Sequence, residues 1–162
     1  MTVLHRLCTL AITTALALAS AANASAQVAP PEDCAGTPSG TWLNVLVEGV
    51  RNGNGLVAVT LYADEPGSFL VKHGSIGVQR FPAQAGATHA CIFIPKPGVY
   101  GIAVYHDENA SMKLDRSRLG LPREGFGFSN NPSTLAGIPT FRSVRLNVPR
   151  PNLAARITLR YP

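Results

Sequence analysis

The sequence predicts an all-β fold: one immunoglobulin-like or prealbumin-like β-sandwich of about seven or eight strands with one long ordered loop, behind a cleaved signal peptide. Three observations predict it. Short runs alternate apolar and polar residues, as Leu43, Val45 and Val47 do against Asn44 and Glu48. Turn residues punctuate those runs, drawn from 15 glycines and 13 prolines. Beyond the first 26 positions no stretch carries a convincing helical pattern.

The N-terminus is a targeting segment. Arg6 precedes an uncharged run from Leu7 to Leu18, and small residues end in Ala24-Ser25-Ala26, so cleavage is expected between Ala26 and Gln27. The apolar run is short for a membrane span. The division is therefore 1–26 signal peptide, 27–40 extended leader and 41–162 sandwich, in a periplasmic or secreted protein. Cleavage removes Cys8 and leaves Cys34 and Cys91, an even pair in an oxidising compartment, which predicts a disulfide.

The strands follow in order. Thr41–Val50 alternates with one buried face, and Arg51-Asn52-Gly53-Asn54-Gly55 carries two Asn-Gly pairs, a hairpin signal because both residues tolerate positive φ. Leu56–Tyr62 returns. Ala63-Asp64-Glu65-Pro66-Gly67 turns, Ser68–Lys72 is a short apolar piece, and Ile76–Phe81 reads as an edge strand. His89–Ile94 holds Cys91. Val99–His106 is apolar on both faces, as a central strand is, with Tyr100, Ile102, Val104 and His106 on one side. Thr140–Val148 alternates imperfectly, which suggests a bulged strand, and Ala154–Tyr161 closes the chain with Ile157, Leu159 and Tyr161 in phase.

Charge limits the partners. Loss of Arg6 leaves 13 basic and 9 acidic residues, a net +4, with five arginines from Arg142 to Arg160. Export directs such a basic face away from nucleic acid and toward solvent or anionic envelope surfaces. The charged fraction of 14% beside 46% hydrophobic residues argues against disorder.

The long segment from His106 to Pro132 has neither helical nor strand periodicity, and it concentrates the polar chemistry of the chain. Asp107, Asn109, Ser111 and Asp115 are oxygen donors at near-alternating positions. Two readings follow. Asp107, Asn109 and Asp115 bind a hard cation such as calcium, with Glu108, Glu124 or Asn130 completing the shell; or they cap backbone N–H groups and pair with Lys113, Arg116 or Arg123. The helix-loop-helix calcium pattern fails, because Met112 and Arg118 stand where its glycine and bidentate carboxylate belong. His106 beside Asp107 has the form of an acid-base pair, or of a satisfied strand-end residue. The chain shows no Gly-x-Ser-x-Gly elbow and no second histidine at a metal-ligand spacing. Phe126 and Phe128, flanked by Gly125 and Gly127, either dock on the sandwich beside Tyr105 or offer rings for a ligand to stack on.

These residues resemble a bacterial family catalogued as domain of unknown function 2141. The resemblance is carried by Val47-Glu48-Gly49-Val50-Arg51-Asn52, by Pro97-Gly98-Val99-Tyr100, by His106-Asp107-Glu108-Asn109 and Lys113-Leu114-Asp115, and by Gly120-Leu121-Pro122 through Gly125-Phe126-Gly127-Phe128-Ser129-Asn130-Asn131. It implies an exported β-sandwich similar to transthyretin-like and carboxypeptidase-regulatory-like modules, with no assigned activity. The family reads Asn-Gly-Asn where this chain has Ala110-Ser111-Met112.

The expectation is a non-enzymatic exported module without a required cofactor, binding an envelope protein or glycan through His106, Asp107, Asn109, Asp115, Glu124, Phe126, Phe128, Asn130 and Asn131. A calcium-stabilised domain and a small hydrolase using His106 with a nearby carboxylate are the alternatives.

Overall fold

The computed structural model describes residues 29–134 and 137–162; the expected signal peptide and its cleavage point lie outside the described residues. The strands are β1 (Trp42–Val50), β2 (Leu56–Ala63), β3 (Gly77–Pro82), β4 (Gly86–Phe93), β5 (Gly98–Asp107), β6 (Phe126–Phe128), β7 (Arg145–Val148) and β8 (Leu153–Thr158), with a one-turn helix α1 (Phe141–Val144). They form two sheets. One runs β4-β1-β8 and the other β3-β2-β5-β6, with β7 also paired to β5. Their inward faces make the core expected from the alternation: Leu43, Val45 and Val47 from β1 meet Val57, Val59 and Leu61 from β2 and Ile102 and Val104 from β5. Each such side chain contributes about 1.5–3 kcal/mol by leaving water.

The connection from β1 to β2 differs from expectation. Arg51–Gly55 does not close a hairpin, because β1 pairs with β4 and β8 while β2 pairs with β3 and β5. It is an arch between the sheets. Asn-Gly chemistry still serves it: Asn52 Oδ1 accepts the Asn54 N–H at 2.9 Å, and Gly55 turns at φ 65°. A Cβ at Gly55 would overlap the Asp107 carbonyl, so the arch and the end of β5 touch backbone to backbone.

Thr140–Val148 is likewise not one bulged strand. Phe141 and Val144, three residues apart, are buried on the face of one helical turn, and Thr140 O accepts the Ser143 N–H at 3.1 Å. Only Arg145–Val148 is extended. β6 is an addition that lay hidden inside the polar segment. It sets Phe126 opposite Tyr105 and Phe128 opposite Ala103.

Cys34 and Cys91 form the expected disulfide, with Cα atoms 4.3 Å apart. Beside it the leader adds to the edge of β4: the Ala35 N–H reaches Cys91 O at 2.8 Å, and the Phe93 N–H reaches Ala35 O at 3.0 Å. The far side of the sandwich is closed across the sheets by the Phe126–Arg160 bridge. Among the described residues no helix is long and apolar enough to cross a membrane.

Candidate functional site

Three chain segments converge at one end of the sandwich: the arch after β1, the end of β5 and the tail after β8. His106 is where they meet, at 0% exposure. Its Nε2 lies 2.8 Å from the Asn54 carbonyl oxygen and its Nδ1 lies 2.7 Å from the Tyr161 hydroxyl. A carbonyl only accepts, so Nε2 carries the hydrogen, the Tyr161 O–H donates to Nδ1, and the Tyr161 oxygen accepts the Arg51 N–H at 3.1 Å. Both ring nitrogens are thereby engaged, and the ring has no face open to a substrate.

Around it, Arg51 lays its guanidinium over the Tyr161 ring, 4.5 Å from the centroid, and forks onto Glu108, with Nη2 2.9 Å from Oε2. Gly125 is the only residue type that fits beneath that ring, since a Cβ there would sit inside the Tyr161 carbons. Burial pushes the Tyr161 hydroxyl pKa up.

Asp107 is also fully buried, and its oxygens face the chain. Oδ1 accepts the Ser111 N–H at 2.8 Å and Oδ2 accepts the Met112 N–H at 2.7 Å. Glu124 does the same for two other strands of the loop, accepting the Glu108 N–H at 3.2 Å and the Asp115 N–H at 2.9 Å. Asn109 bridges Ser111 N–H and Asp115 Oδ2. The capping reading of the acidic residues is the one the geometry carries, through backbone N–H groups rather than through Lys113, Arg116 or Arg123.

The residues expected as calcium ligands are engaged in these bonds. Asp107 has turned inward and both its oxygens already accept hydrogen bonds, while Asp115 lies against the Asn109 amide. Among the described residues no group of three or more His, Cys, Asp and Glu side chains gathers for a metal. His106, Asp107 and Glu124, expected at a contact surface, are buried in the fold.

The loop makes this turn with Ala110 at φ 53° and Met112 at φ 66°, both left-handed. Asparagine tolerates that region far better than a long side chain. The resembled pattern has asparagine at both positions, which accounts physically for it. Met112→Asn should therefore stabilise the domain by about 0.5 kcal/mol, read as a higher urea midpoint at unchanged slope.

The opposing shifts of two carboxyls give a pH signature. The Arg51 hydrogen bond holds Glu108 below the usual carboxylate range, whereas burial raises Glu124. Stability from Glu108 is fully present above the unfolded value of about 4.3 and is lost as pH falls through its lower folded value. Glu124 contributes oppositely: its share is present below about 4.3 and is lost as pH rises through its higher folded value. The stability difference between wild type and Glu108→Gln should thus be largest near neutrality and shrink toward pH 3, measured by denaturant titration across that range.

The remaining expected residues lie elsewhere. Phe126 and Phe128 dock on the outer face of the larger sheet, 5.9 Å apart edge-on, and Phe128 meets Phe69 at 6.0 Å. Asn130 and Asn131, at φ 63° and 47°, stitch the end of β6 to its neighbours. The Asn130 amide donates to Arg145 O at 2.7 Å, and Asn131 exchanges bonds with Arg156 O and the Thr158 N–H. Sequence reasoning missed Tyr161 and Asn54 as partners of His106, and Arg51 as the partner of Tyr161. Only the in-phase placement of Tyr161 with Ile157 and Leu159 hinted at its inward direction.

Two depressions flank the loop. A polar cleft of about 410 Å³ lies between Arg51, Glu108, Asn109, Asp115, Arg116 and Arg123. An apolar groove of about 200 Å³ runs over the outer face of the larger sheet, floored by Tyr105 and Phe126 and walled by Leu70, Leu114 and Ile138.

The sequence pattern of a family described as "Uncharacterized protein conserved in bacteria (DUF2141)" matches residues 45–155. The chain belongs to the DUF2141 family. No curated protein and no solved structure matches it. The matched span of this DUF2141 chain runs from β1 into β8, so it includes the arch, the buried His106–Asp107 pair and the whole loop.

Proposed function

We propose that this DUF2141 chain is an exported, non-enzymatic recognition module, and that the apolar groove beside the loop receives an aliphatic or aromatic side chain of an envelope or extracellular protein. One observation carries the reading. The buried loop carboxylates Asp107 and Glu124 are spent on backbone bonds inside the fold, while the loop's apolar side walls an open groove with aromatic flooring. Leu70 and Ile138, both exposed, stand at the rim. Apolar side chains left at a groove mouth are the mark of a contact surface.

A photo-crosslinking residue at position 138 tests this, with position 154 on the smaller sheet as the control. A protein adduct from 138 alone, competed by excess wild-type chain but not by Leu70→Asp, is the expected result. The same adducts from both positions, or equal competition by Leu70→Asp, would remove the groove from the account. On the same reading, unfolding midpoints in calcium and in chelator coincide. A cation at a hundred times its dissociation constant would instead add about 2.7 kcal/mol.

A further inference from the structure

The outer part of the loop is a small hairpin that the fold does not use. Arg116 pairs with Pro122, the Ser117 N–H reaches Leu121 O at 2.8 Å, and the Gly120 N–H reaches Ser117 O at 2.9 Å, with Gly120 at φ 78°. Its backbone is therefore held, yet its tip puts apolar side chains into water: Leu119 is 86% exposed and Leu121 62%. Among the described residues Leu119 is the most exposed large apolar side chain, and nothing in their packing requires a leucine there.

Charge surrounds that tip. Lys113, Arg116, Arg118 and Arg123 lie within the same stretch; Arg116 and Arg123 share the polar cleft with Glu108, Asp115 and Glu124, which are bonded to Arg51, to the Asn109 amide and to backbone N–H groups. Among the described residues the arginine ion pairs are Arg51–Glu108, Arg145–Asp64 and Arg156–Glu48, so the hairpin cations have no carboxylate within pairing distance. Backbone order, protruding leucines and uncompensated arginines together match the interface of an anionic bilayer, where headgroups attract cations and the acyl boundary accepts apolar side chains. A nucleic-acid backbone would use the arginines and leave both leucines in water.

We propose that the Arg116–Pro122 hairpin docks this protein on anionic lipid surfaces, with Leu119 inserted and Arg118 and Arg123 against the headgroups. The hairpin base, Arg116 and Pro122, also lines the groove, but the two tests substitute different positions, 118, 119 and 123 here against 70 and 138 there, so loss of either reading leaves the other standing.

The test is flotation of the full chain, recovered from an expressing bacterium, with vesicles of phosphatidylcholine alone or with about one-third phosphatidylglycerol. Any contribution of the first 26 residues is common to every variant. Binding is expected only to the anionic vesicles and should weaken with salt. Leu119→Ser should reduce it about ten-fold. Arg118→Gln with Arg123→Gln should reduce it about 30-fold, from about five-fold per arginine. Both variants should keep the wild-type melting temperature, since none of the three side chains makes a bond within the described fold. Equal binding to the two vesicle types, no binding, or Leu119→Ser binding as tightly as wild type would overturn the proposal.

Discussion

His106→Ala is expected to destabilise the domain by about 3–4 kcal/mol, the largest effect of any single side chain at the arch end. The substitution opens a cavity where a fully buried ring stood. It also leaves the Asn54 carbonyl and the Tyr161 hydroxyl without their partner. Tyr161→Phe removes only one of those bonds and keeps the ring beneath Arg51, so about 1–2 kcal/mol is expected. The double variant should cost less than the sum, because both act through one hydrogen-bonded chain. Chemical denaturation of the four proteins measures all of this. Additive effects would mean that the two residues hold the arch independently.

Loss of the disulfide comes second. Cys34 and Cys91 are 57 positions apart, a closure worth about 4 kcal/mol in the chain-entropy account. Replacing both with alanine should lower the melting temperature by on the order of 10 °C. The consequence is local as well: Ala35 pairs with Ile92 next to the bridge, so the leader should leave the edge of β4 in the variant. Protease cleavage within residues 29–40 reads that release. Equal melting and equal cleavage of the two proteins would contradict a structural role for the bridge.

Alternation and turn chemistry made much of the fold legible. Leu43, Val45 and Val47 declare one buried face of β1, and Tyr100 to His106 declare the inner face of β5. Which strands pair is a different matter. Asn-Gly tolerates the same positive φ in a hairpin and in an arch, so Asn52–Gly55 could not say whether β1 and β2 share a sheet. The parallel pairing of β1 with β8 joins residues over a hundred positions apart and leaves no local trace. Phe141 and Val144 show how three-residue spacing is lost inside an apparent alternation only a few residues long.

The candidate site was legible as a place and not as a role. From sequence Asp107 read either as a cation ligand or as a cap on backbone N–H groups, and Glu124 as a contact residue or a further ligand, because acidic side chains are seldom fully buried. Their partners are main-chain N–H groups of Ser111, Met112, Asp115 and Glu108, which every sequence possesses and none advertises. His106 likewise depends on a main-chain carbonyl of the arch and on a tyrosine from the far end of the chain. The hairpin leucines needed the structure for the opposite reason: only a fold shows that an apolar side chain has found nothing to pack against.

Amide hydrogen exchange of Ser111, Met112 and Asp115 tests most directly whether the polar side chains of the loop serve the fold. Bonded to Asp107 and Glu124, these amides are predicted to exchange with protection approaching that of the β5 amides. Exchange at the rate of a free peptide would mean that the loop is not held, and that its carboxylates are available for something else.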